Sequence, residues 1–216
     1  IRPQISINQA TDSTDALAVK VVFAHHSTGG NLIADTTGSD GKGGLGKALD
    51  NAGFFLSDTC YEWDAPNNTD IGSYTDIGHW YTWFSSSDIM GAVYTEYGKN
   101  AYSVANYGDR TRSLGVPDGE NKIVIIKSCY PNADVFTDND TTPTDLYGQA
   151  FDYTVNGQRV HTLSNIKAVY ERLYEYMSVH PEKMFVIMIN PPLSLGNTTS
   201  ERAANMRSLA NWLRTE

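Results

Sequence analysis

The sequence predicts one α/β domain in which a mostly parallel sheet lies between layers of helices. Three observations lead there. Four apolar runs, at residues 18–24, 54–59, 122–127 and 184–189, are continuous rather than alternating, as strands covered on both faces are. Apolar residues at helical spacing recur between the runs, so strand and helix alternate along the chain. Each run stops at a polar turn, which places Ser27, Asn132 and Asn190 at the carboxyl ends of three strands and therefore on one rim of the sheet. No repeat or linker divides the chain, and 216 residues suffice for one substantial core, so residues 1–216 read as a single domain.

Residues 1–16 are polar and read as an extended lead-in. The first strand, 18–24, ends at His25-His26-Ser27-Thr28-Gly29-Gly30, an apolar run broken by a tight turn. Residues 27–44 read as a Gly/Thr/Asp-rich loop. Leu45, Ala48, Leu49 and Ala52 have helical spacing, with Gly53 as C-cap. Phe54 to Thr59 is the second strand. Tyr61 to Ser87 reads as a long aromatic loop with Trp63, Tyr74, Trp80, Tyr81, Trp83 and Phe84; loops of that length are functional or hold short elements of their own. Asp88 caps a short helix carrying Ile89, Val93 and Tyr97. Residues 98–121 are rich in Gly and Asp. The third strand, 122–127, runs into Ser-Cys-Tyr-Pro-Asn-Ala-Asp, and polar sequence continues to about Gly157. Leu163, Ile166, Tyr170, Leu173 and Met177 form the apolar face of a helix that stops before Pro181. The fourth strand ends at Asn190-Pro191-Pro192. Thr198 with Glu201 reads as a capping box, and Met206, Leu209, Ala210 and Leu213 face the core from a last helix.

Composition narrows the function classes. A formal net charge of −9 repels a phosphate backbone, which argues against a nucleic-acid partner. No apolar stretch reaches the length of a membrane span, so no membrane partner is expected. Cys60 and Cys129 lack metal-ligand spacing, and both one disulfide and two free thiols are open. Thirteen Tyr and four Trp against seven Phe supply flat apolar faces with polar edges, which suit sugars. Gly41-Lys42-Gly43-Gly44-Leu45-Gly46-Lys47-Ala48 falls short of a phosphate loop, because Ala48 stands where magnesium needs a hydroxyl and no strand leads directly into it. No cofactor or metal is called for. The opening on Ile1 rather than Met fits a secreted or periplasmic mature form, and fits a trimmed boundary equally well.

His-His-Ser-Thr-Gly-Gly after the first strand, Lys-Ser-Cys-Tyr-Pro-Asn-Ala-Asp after the third and Ile-Asn-Pro-Pro-Leu at the fourth resemble the SGNH (GDSL-like) hydrolase superfamily. They are most similar to a bacterial branch whose GDS serine motif is written HHS. The resemblance covers most of the chain, and the order of the motifs after the strands carries more of it than any single one. It implies a flavodoxin-like three-layer α/β/α sandwich and hydrolysis of acyl or acetyl esters, often on carbohydrates. Ser27 matches the nucleophile, whose hydroxyl needs a base within reach and whose backbone N–H is an oxyanion donor. Asn132 matches the oxyanion asparagine, with Ser128 as the alternative donor.

Two departures stand out. Glu62 in Thr-Cys-Tyr-Glu-Trp occupies the place of an expected small residue, and the next glycine is Gly72. The superfamily's late Asp-x-x-His is missing, since no His follows His180; the sheet is then expected to lack its last strand and the domain to be C-terminally incomplete. Asp76-Ile77-Gly78-His79 has the right spacing in mid-chain and supplies the candidate base and orienting acid. His25 and His26 read as positioning or internally satisfied residues. With His26 and Gly29 at the serine turn, Trp63, Trp80 and Trp83 are the candidate substrate wall. The reading is therefore a serine ester hydrolase acting on a small-molecule or carbohydrate ester. The alternative is a non-catalytic carbohydrate-binding protein on the same scaffold, and a third option is an inactive fragment with an exposed sheet edge.

Overall fold

A computed structural model describes residues 18–35, 43–67, 69–100, 108–138 and 145–215. All four apolar runs are strands of one parallel sheet: β1 (Val19–His25), β2 (Phe54–Thr59), β3 (Ile123–Lys127) and, after a short hairpin of β4 (Thr154–Val155) and β5 (Gln158–Arg159), β6 (Met184–Ile187). The order across the sheet is β2-β1-β3-β6. In register, Phe23 lies beside Asp58 and Ile125, and Ile125 beside Val186. Every pairing is parallel, so all four carboxyl ends share one rim.

The sheet is the middle of three layers. Helices α1 (Thr28–Ile33) and α2 (Leu45–Asn51) cover one face through Val21, Phe23, Ile33 and Leu56. On the other face lie α3 (Ile77–Ser85), α5 (Leu163–Ser178) and α6 (Ser200–Thr215), with α4 (Ser87–Thr95) packed beside α3. There Val22, Ala24, Val124 and Ile126 meet Trp80, Trp83, Ile166, Leu173 and Leu209 in the larger core. The alternation of face along each strand thus sorts the apolar runs into two cores.

Several elements differ from the sequence reading. Residues 28–33 are a helix rather than loop, and so are 77–85 within the aromatic stretch. The second follows from Ile77, Trp80, Trp83 and Phe84, whose spacing puts all four on one buried face. The cap of α4 is Ser86, whose hydroxyl accepts the Ile89 N–H at 3.3 Å, rather than Asp88. At the start of α6 it is Thr199 Oγ1 that accepts the Arg202 N–H at 3.2 Å, while Thr198 donates to Asp134 at 2.8 Å. Residues 41–42 of the glycine-rich stretch and the lead-in 1–16 lie outside the described residues. Cys60 and Cys129 are free thiols.

Candidate functional site

The rim is built from the turn after β1. Ser27 joins the strand to α1 with φ 43° and ψ −112°. A non-glycine residue pays for such a conformation, at about 1–3 kcal/mol. Two hydrogen bonds hold the turn, from Gly29 N–H to His26 O and from Gly30 N–H to Ser27 O, both 2.9 Å. Gly29 is there for space: a Cβ would fall 2.5 Å from Cβ and Cγ of His25.

The two histidines before Ser27 face opposite ways, as adjacent strand residues must. His25 is fully buried, with Nε2 3.2 Å from Asp58 Oδ2. Asp58 also binds Arg110 and the Asn100 N–H. Burial alone would raise the Asp58 carboxyl, but the His25 hydrogen bond and the Arg110 charge outweigh it and hold it below the usual range. His26 donates from Nε2 to the Gly72 carbonyl at 2.7 Å and stacks on Tyr61 at 3.9 Å. Its burial pushes the imidazole down to about 4, so the ring is neutral at pH 7. Gly72 is pressed against the chain after β2: a Cβ there would collide with the Cys60 carbonyl. Glu62, where a small residue was expected, sits at φ 65° in the left-handed region that favours glycine.

Asp76 and His79 form the capping box of α3. The Asp76 carboxylate accepts from the His79 backbone N–H, from Asn132 Nδ2 at 2.5 Å and from the Phe151 N–H at 3.1 Å. His79 Nδ1 accepts the Asp76 N–H at 3.3 Å, and lies 3.9 Å from Asp76 Oδ2. A backbone N–H can only donate, so this ring carries its proton on Nε2. Burial lowers the His79 pKa against the pull of Asp76. Asp76 and His79 both act electrostatically on the charge of His26.

Asn132 is completely buried in the 3-10 turn Tyr130–Ala133. Its Nδ2 gives one hydrogen bond to Asp76 and one to the Cys129 carbonyl at 3.1 Å, and its Oδ1 takes the Ile77 N–H at 2.8 Å. Both amide hydrogens are spent, so Asn132 ties β3 to α3 rather than presenting a free donor. Ser128 Oγ donates to Asn190 Oδ1 at 2.9 Å, linking the ends of β3 and β6. The backbone N–H groups of Tyr61 and Ser27 face the Cys60 sulfur, and burial pushes that thiol up to about 12.

The three tryptophans lie in the core instead of lining the rim. Trp80 and Trp83 are each 1% exposed; Trp63 stacks on Trp83 at 5.4 Å and donates to Glu96 at 2.8 Å. The period of α3 drives Trp80 and Trp83 inward. The aromatic rings with open faces at this edge are Tyr74, set edge-on to His79 at 5.2 Å, and Tyr130. His161 gave no signal in the sequence. It is fully buried, contacts Asn132 O through Nε2 at 3.0 Å, and burial lowers its pKa.

Hydrogen-bonding capacity is left unspent here. Among the described residues, eight buried side-chain atoms lack a partner, and five belong to this edge: His25 Nδ1, Thr28 Oγ1, Thr59 Oγ1, Thr75 Oγ1 and His161 Nδ1. Buried polar groups are normally satisfied, so their concentration beside a strained serine distinguishes the rim from the rest of the protein. Among the described residues, no group of three or more metal-ligating side chains occurs, and no helix is long and apolar enough to cross a membrane. No family model, curated protein or solved structure matches the chain.

Proposed function

We propose that the protein is a serine ester hydrolase of the SGNH type on a flavodoxin-like scaffold, with Ser27 as its nucleophile. The observation that carries this reading is the backbone of Ser27, held at φ 43° and ψ −112° between a parallel strand and a helix. A strained strand-to-helix turn presents a serine hydroxyl at the top of a sheet, and strain of this kind persists where function uses it.

In the proposed reaction the Ser27 O–H bond breaks as Oγ bonds to the ester carbonyl carbon, and the proton passes to His79 Nε2. To accept it, His79 must first move its proton from Nε2 to Nδ1, toward Asp76 Oδ2, now 3.9 Å away, and give up the bond from the Asp76 N–H. Hydrogen bonds at catalytic groups commonly tighten in this way only when substrate is bound. The carbonyl C–O bond to the alcohol then breaks, the alcohol takes the proton from His79, and water releases the acid by the same steps in reverse. The Thr28 hydroxyl, buried and without a partner among the described residues, is the available oxyanion donor, since the Ser27 N–H is turned to the Cys60 sulfur. Asn132 holds Asp76 and the start of α3 in place, and is a positioning residue. His26, neutral and fixed on Gly72, keeps positive charge away from the turn. With the tryptophans in the core, Tyr74 and Tyr130 are the rings that a bulky or sugar-bearing alcohol would meet.

A fluorophosphonate probe followed by peptide mass spectrometry tests this. The label is expected on Ser27, to vanish in Ser27→Ala, and to fall in His79→Gln with the circular dichroism spectrum unchanged. A folded wild-type protein that takes no label, or a Ser27→Ala variant that still hydrolyses p-nitrophenyl acetate, removes the assignment.

A further inference from the structure

Beside the carboxyl end of β6 lies a groove of about 360 Å³ that the proposed reaction does not use. Its floor is apolar, from Ile189 and Leu193 on one side to Met206 and Ala210 on the other. Arg207 and Arg214 of α6 also line it. They are two helical turns apart, ~10 Å along one side of the helix. Both are exposed, and neither has a carboxylate within ion-pair distance among the described residues. The nearby Arg202, by contrast, is held by Asp134 at 2.8 Å. Two unmatched guanidinium groups on one short apolar groove are unusual in a chain of net charge −9.

We infer that this groove binds an amphipathic carboxylate, an alkyl chain lying on Ile189, Leu193, Met206 and Ala210 with its anionic head on Arg207 and Arg214. The volume falls in the usual range of small-molecule sites, which are mostly apolar with a few placed polar groups. Guanidinium favours carboxylate through paired, charge-assisted hydrogen bonds. A second copy of the chain is the alternative occupant, and the test below reads it separately. The inference does not depend on Ser27, and binding is measured without turnover.

Titration calorimetry with decanoate, kept below its micelle concentration, tests it in the Ser27→Ala background. One decanoate is expected per chain, with acetate failing for want of a chain and decanol binding at least about tenfold more weakly for want of a charge. The double variant Arg207→Gln/Arg214→Gln alters only exposed side chains, and is expected to bind decanoate no better than decanol. Ala210→Trp fills the groove and is expected to abolish binding. The inference is overturned if decanoate does not bind the folded protein, if decanol binds equally well, or if the double variant is unaffected. It is also overturned if sedimentation shows a dimer that Ala210→Trp dissociates, since the groove would then belong to a second copy. Labelling of Ser27 is read separately, so either result stands or falls without the other.

Discussion

Acid should unfold this protein in part through one ring. His26 is held neutral by burial, its pKa down to about 4 from the ordinary 6.5. A histidine whose folded pKa is depressed takes up its proton more readily in the unfolded chain. Its contribution to stability is therefore complete above the unfolded pKa and is lost as pH falls from 6.5 toward 4. Each pKa unit is worth about 1.4 kcal/mol, and the two titrations together give a loss of about 3 kcal/mol at pH 4. Replacing His26 by Gln separates this from the many carboxylates that titrate in the same range. The amide still donates to the Gly72 carbonyl but loses the stack on Tyr61, at a cost of about 1 kcal/mol. Near neutral pH the variant should be the less stable protein by about that amount. At pH 4 the order should reverse, with His26→Gln more stable by about 2 kcal/mol. Urea denaturation of both proteins at the two pH values measures it, and His79, His161 and the carboxylates largely cancel in the difference. A destabilisation of the same size at both pH values would refute the reasoning, because it would mean that His26 titrates alike in the folded and unfolded chain.

The other predictions concern the same edge of the sheet. Ser27→Gly should raise stability by about 1 kcal/mol relative to Ser27→Ala in thermal or urea unfolding, because glycine accepts the positive φ that alanine does not; equal stability would mean the turn is not strained. Lys127 is nearly fully buried beside His25 in register, donates among the described residues to the Ser128 carbonyl at 3.1 Å, and has its pKa lowered by that burial. Lys127→Met should therefore be neutral or stabilising by about 1 kcal/mol, and should flatten the rise of stability with pH that the wild type shows on approaching the unfolded lysine pKa. A loss of more than about 2 kcal/mol in urea would show that the ammonium is held by more than one carbonyl.

The strands were legible because each is a short apolar run with a clear stop, and a parallel sheet buried on both faces leaves no polar alternation to confuse them. The helices at 28–33 and 77–85 were not legible, for different reasons. The first holds two glycines in six residues, and Gly29 is required by the ring of His25, a contact that no local signal reveals. The second is rich in aromatic residues of modest helix propensity, and its apolar spacing was hidden by the polar residues on either side. Residue type alone points the tryptophans to a substrate wall, but it carries no direction; with 77–85 a helix, its period turns Trp80 and Trp83 inward.

The Asp-x-x-His spacing shows how one local pattern carries two physical meanings. Three residues separate the N-cap of a helix from the residue whose side chain reaches back to the N-cap N–H, and the same three would separate the orienting acid from the base in the proposed reaction. Asp76 and His79 make the first arrangement; the proposed second would require moving one proton between the ring nitrogens and closing the 3.9 Å gap. The cap bond that would be lost is long, whereas the Asp76 carboxylate is anchored independently by Asn132 and Phe151. The acid is thus fixed more firmly than the ring. An acid held by hydrogen bonds that do not involve its histidine's ring, with a ring free to trade a weak cap for a proton transfer, is the division of roles that the proposed reaction requires.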